Sequence, residues 1–160
     1  MKKLIIAFIS IISLTIPLTV RAQVTAVVKV TGEVTTPLNL SVVDLHQFAQ
    51  TVVVHKDKDG KDHTYSGVIL AEILQKAGVS MNKESLTKYL LVDASDGYKV
   101  IFALAELDKN FTDRIIILAD TVDGKPLAKG EGPFKIIVQD EKKAARCVRQ
   151  VTSLKVLSAK

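Results

Sequence analysis

The chain has 160 residues, 22 of them Lys or Arg against 17 Asp or Glu, for a formal net charge of +5. Basic and acidic residues are interleaved along the sequence, which excludes the basic stripe of a nucleic-acid binder. A chain of this length builds one domain with an ordinary hydrophobic core, and its single cysteine, Cys147, excludes an internal disulfide.

Lys2 and Lys3 precede an apolar run, Leu4 to Leu18, broken only by Ser, Thr and Pro17, and Val20-Arg21-Ala22 follows. This order is that of a cleavable export signal over residues 1–22, with cleavage between Ala22 and Gln23. The run is roughly 15 residues, short of the about 20 that a spanning helix needs, so no stable membrane span is expected after cleavage. Removing the signal takes Lys2, Lys3 and Arg21, which leaves 19 basic against 17 acidic residues, a net +2 on residues 23–160. The expected location is outside the cytoplasm, periplasmic or secreted. Without a disulfide, stability there must come from packing.

Val24 to Val30 predicts a first strand, ended by Gly32, and Pro37 an extended turn. Ser41-Val42-Val43-Asp44 is a capping-box pattern opening a short helix through Phe48. Thr51 to His55 predicts a second strand, and the charged run Lys56 to Asp62 contains Asp59-Gly60, a hairpin signal. Tyr65-Ser66-Gly67 leads into a helix with Ile69, Leu70, Ile73, Leu74 and Ala77 on one face and Gly78 as its C-terminal cap. Lys83 to Lys88 reads as a further short helix. Tyr89 to Ala94 and Tyr98 to Ala103 are strands flanking the turn Ser95-Asp96-Gly97. Leu104 to Leu107 is one helical turn, and Ile115 to Ala119 a central strand buried on both faces. Asp123-Gly124 and Lys125-Pro126 form a loop before the last strands, Phe134 to Val138 and Gln150 to Leu157. Many strands and few short helices give an α+β class, a mixed β-sheet or small barrel with short peripheral helices.

The order of motifs is Thr31-Gly32-Glu33-Val34, Pro37-Leu38, Tyr65-Ser66-Gly67-Val68-Ile69-Leu70, Asp96-Gly97-Tyr98 with Phe102 and Glu106, Asp123-Gly124-Lys125-Pro126-Leu127, Gly132-Pro133-Phe134 and Val148-Arg149-Gln150-Val151. This series resembles the oxidoreductase molybdopterin-binding domain family, the sulfite-oxidase type, over nearly all of residues 23–160. The resemblance implies a sulfite-oxidase-like fold and, in catalytic members, a molybdenum–pterin cofactor. It also implies a Cys thiolate on the metal, at a strand end upstream of the Tyr-x-Gly-Val-x-Leu-like segment. The matching region, Thr51 to Lys61, contains His55 and no Cys, and Cys147 lies far downstream. A soft thiolate anchors and tunes such a metal, and an imidazole is a different ligand. The expectation is therefore a molybdopterin-binding-like domain that is non-catalytic, with no metal ligands of its own and no assigned catalytic residue. Its partner is a small-molecule ligand, a pterin being the one the resemblance implies, or an envelope protein. The alternative is a minimal molybdopterin-dependent oxidoreductase, or a subunit of one, completed by His55 or a second chain.

The candidate cofactor-binding residues are His55, Arg146, Arg149 and Tyr98. His55 falls at the ligand position, and arginines hold phosphate by forked hydrogen bonds. Their bland readings are a strand-end histidine, a sheet-edge pair of arginines and a packed ring. His63 faces His55 across a hairpin, but two ligands without a third make a weak metal site. Asp57, Asp59 and Asp62 lack the further ligands of a calcium loop. Arg146 and Arg149 flank Cys147, and positive charge activates a thiol. The competing reading of Cys147 is small core filler.

Overall fold

The computed structural model describes residues 26–159, and the export signal expected over residues 1–22 lies outside them. The elements are β1 (Val28–Gly32), β2 (Leu38–Leu40), α1 (Val42–Leu45), β3 (Thr51–Lys56), β4 (Asp62–Ile69), α2 (Leu70–Lys76), β5 (Lys88–Ala94), β6 (Lys99–Ala103), β7 (Ile116–Val122), β8 (Lys125–Pro126), β9 (Lys135–Val138) and β10 (Val151–Ser158). Short 3-10 turns cover Lys83–Thr87, Leu104–Leu107 and Ala144–Arg146. One five-stranded sheet runs β2-β1-β10-β5-β6, mixed because β1 and β10 are parallel. The other runs β3-β4-β7-β8, with β9 also paired to β7, and is antiparallel throughout. This is the expected α+β class of mixed sheet with short peripheral helices.

The main core joins the two sheets and α2. Val28, Leu90, Phe102 and Leu154 come from the first sheet, Ile116, Leu118 and Ile136 from the second, and Ile73 and Leu74 from the helix. Alternate residues of β7 and β9, Ile117, Ala119 and Ile137, pack on the opposite face with Val53 and Tyr65. Burial on both faces explains why these two strands read as continuous apolar runs.

Local signals hold where backbone chemistry alone decides. Ser41 Oγ accepts the Asp44 N–H at 3.3 Å, and Asp44 Oδ2 accepts the Ser41 N–H at 2.9 Å, which closes the capping box of α1. The Asp59-Gly60 turn joins β3 to β4, and Gly78 follows α2 at φ +83°. Other boundaries move. The first strand begins at Val28, and Leu38–Leu40 pairs with β1 where only a turn was expected. The Tyr65-Ser66-Gly67 segment belongs to β4, and the helix starts at Leu70. Tyr65 and Gly67 pair with both β3 and β7, and Val68 pairs with β7, so the segment leading into the helix is strand. Lys125–Pro126 is not only loop but a two-residue strand on β7.

Candidate functional site

A cleft of about 380 Å³ opens beside the β3–β4 hairpin. The hairpin contributes Asp57, Lys58, Asp59 and His63. The β5–β6 turn and its exit contribute Asp96 and Tyr98, and the last part of the chain contributes Lys135, Cys147 and Arg149. Three elements far apart in sequence thus meet at one opening.

The four candidate residues divide. Tyr98 lines the cleft, half-exposed, with its hydroxyl donating to the Ala145 carbonyl at 2.9 Å. That bond holds the ring as a fixed platform. Arg149 also lines it, 3.6 Å from Glu131. His55 is buried behind the lining, with Nε2 3.7 Å from Cys147 Sγ. Arg146 is not in the lining. Its guanidinium donates to Glu106 at 2.8 Å and pairs with Glu141 at 2.7 Å, and it stacks 5.2 Å from the Phe102 ring. The Glu106 hydrogen bond, with Glu141 behind it, raises the guanidinium further above its ordinary value.

Asp96 Oδ1 accepts the Tyr98 N–H, and Glu106 Oε1 accepts the Ala103 N–H, so both shape the chain locally. His55 and His63 are register partners across the hairpin, as their spacing predicts. Their rings part company, because His63 lies between Asp123 (2.7 Å) and Asp59 (3.3 Å). Among the described residues no three His, Cys, Asp or Glu side chains gather as a metal site.

The sequence reading passed over the polar network beneath the cleft. Lys135 is buried in β9, and its Nζ donates to Tyr65 Oη at 2.9 Å and to Glu131 Oε2 at 2.8 Å, with Asp57 Oδ2 at 3.8 Å. The ammonium also sits 4.7 Å from the Tyr65 ring centroid. Tyr65 in turn donates to Asp57 Oδ2 at 2.5 Å. Burial, then the Asp57 contact, pushes the phenol far above its ordinary value, so it stays protonated and is a fixed donor. One signal was available: Lys135 is the only charge inside the apolar run Phe134 to Val138, and a lysine buried in a strand needs partners.

The flanking arginines do not activate Cys147. The side chain is 8% exposed, and burial raises the thiol above its ordinary range. Because the thiolate is the reactive form, native Cys147 is expected to react with a thiol-labelling reagent at least about tenfold more slowly at neutral pH than in urea-unfolded protein. Equal rates in the two states would overturn this assignment.

The fold has a solved counterpart. The sulfane dehydrogenase SoxCD from Paracoccus pantotrophus is similar in structure, with a TM-score of 0.66 at 18% sequence identity. The match covers 82% of this chain but 38% of that one, so this chain spans well under half the length of its structural relative. No curated protein sequence matches. The model of the oxidoreductase molybdopterin-binding domain family matches residues 14–160, and the chain belongs to that family.

Proposed function

We propose that this chain is an exported, non-catalytic member of its family that binds a small polar ligand in the cleft beside Cys147. The observation that carries the reading is the state of the strand end where catalytic relatives are expected to present a thiolate. Here β3 presents His55, an imidazole 4% exposed and packed on the Cys147 sulfur. Molybdenum needs a soft, deprotonated donor with an open approach. The one sulfur near this position comes from another segment, is almost closed off and is held as the thiol. This donor set does not fit the metal.

The rest of the cleft suits a planar, polar molecule. Tyr98 offers an anchored ring, and Lys58 and Arg149 offer positive charge against Asp59 and Asp96. A pterin is the ligand class consistent with the family. Export rests on the Lys2-Lys3 and Leu4 to Leu18 pattern.

Metal analysis and pterin fluorescence on protein purified from its host envelope fraction test the proposal. The expected result is less than about 0.1 molybdenum per chain, with any pterin bound about fivefold more weakly in Tyr98→Ala, whose stacking surface is worth on the order of 1 kcal/mol. Stoichiometric molybdenum would sink the proposal and favour the second reading, a minimal molybdopterin-dependent oxidoreductase. That reading has one observation of its own: Cys147 returns a sulfur, in space, to the strand end that lacks one in sequence. Loss of the metal in Cys147→Ser would then identify the ligand.

A further inference from the structure

We propose that His63 is a proton-controlled clasp that holds the hairpin wall of the cleft against the β7–β8 turn. The clasp stands on the cleft's geometry and holds whatever the cleft binds. His63 Nδ1 lies 2.7 Å from Asp123 Oδ2, and Nε2 lies 3.3 Å from Asp59 Oδ2. Both nitrogens therefore face carboxylate oxygens, which only accept. An imidazolium has two N–H donors and serves both partners. A neutral imidazole has one and leaves a lone pair facing the other carboxylate.

The two partners are not equivalent. Asp123 is held in place by the Thr64 N–H, at 2.9 Å to its Oδ1, and its own N–H donates to the Thr64 carbonyl at 2.7 Å. Asp59 belongs to the hairpin tip and, among the described residues, otherwise accepts only the Lys61 N–H. Deprotonated His63 keeps the shorter bond to Asp123 and repels Asp59. The tip that then loosens carries Asp57, Lys58 and Asp59, which line the cleft. Asp57 is also the acceptor for Tyr65, so release reaches the network around Lys135.

The groups that face His63 directly are carboxylates, with the cations behind them. Asp59 and Asp123 face His63 directly, Lys61 lies beside Asp59 and Lys125 beside Asp123, and His55 is the register partner on β3. The hydrogen bonds to Asp123 and then Asp59 raise His63 above the ordinary histidine value. Asp59 is lowered mainly by the Lys61 N–H and Asp123 by the Thr64 N–H. The His63 contribution is complete below the unfolded histidine value and is lost as pH rises through the raised folded one. The carboxylate contributions are present above the unfolded Asp value and are lost as pH falls through their lowered ones. The clasp is closed between these limits, in mildly acidic solution, and opens on the alkaline side.

Amide ¹⁵N relaxation of residues 57–61 in the full chain reads the clasp. Order parameters of about 0.85 at pH 5 are expected to fall below about 0.6 at pH 9. In His63→Gln, whose amide has a single donor group, they are expected to be low at both pH values. Asp123→Asn keeps the Thr64 contact and should move the transition to lower pH. A wild-type hairpin with the same order parameters at pH 5 and pH 9, or a transition that persists in His63→Gln, overturns the proposal.

Discussion

Replacing Lys135 by alanine is expected to destabilise the protein by about 3 kcal/mol, the lower end of the cost of removing one partner from a buried ion pair. The reason is the acids it leaves behind. Nζ is the shared donor for Tyr65 Oη and Glu131 and lies 3.8 Å from Asp57. Without it two carboxylates face each other's potential across the Tyr65 hydroxyl. Water moderates the loss, since the Glu131 and Asp57 side chains are 34% and 25% exposed. Lys135→Met is the informative comparison. It keeps the aliphatic packing in β9 and is expected to recover roughly half of the loss, because an apolar isostere offsets the desolvation that the ammonium suffers. Urea denaturation of the three proteins checks both values. An alanine variant as stable as the wild type would mean that the network is incidental.

Gly67→Ala is expected to cost at least about 3 kcal/mol, at or beyond the usual limit for overpacking. A Cβ built at Gly67 lies 2.2 Å from the Leu118 carbonyl oxygen and 2.5 Å from the Ala119 Cα. Both are backbone atoms of β7, so no side chain can swing aside. Relief requires β4 and β7 to separate at the point where their register shifts. Ser66 opposes Thr121 and Gly67 opposes Ala119, which leaves Asp120 as the extra residue of a bulge. Asp120 is buried there and holds His46 Nε2 at 2.6 Å, tying the end of α1 to the second sheet. The clash therefore strikes the ladder and this tether together. Thermal unfolding should show a fall in Tm of about 6–12 °C for a domain of this size. A shift of a degree or less would show that the two strands do not approach so closely.

Much of the architecture was legible because its determinants are local. The Ser41–Asp44 box, the Asp59-Gly60 and Ser95-Asp96-Gly97 turns and the face of α2 each depend on dihedral preferences and spacing within a few residues. The misreadings share one cause. β2 and β8 are too short to carry a period, and each exists because β1 or β7 offers it an edge. By sequence, Tyr65-Ser66-Gly67 only leads into the helix that carries Ile69 to Ala77. Its pairing with both β3 and β7 makes it a strand.

The candidate site divides in the same way. By sequence alone the family, the α+β class and the absence of a cysteine from Thr51 to Lys61 were determined, since each is a property of residue order. Tertiary structure decided which side chains meet. It turned Arg146 toward Glu106 and Glu141, placed Arg149 and Tyr98 in the cleft, and joined Lys135 to Tyr65 across 70 residues of chain. It also brought Cys147 to His55 across 92 residues, against the sequence expectation that no sulfur stands at that strand end. Such meetings depend on how two sheets stack and where a strand bulges. A one-residue change of register would send the strand residues His55, Tyr65 and Lys135 to the other face.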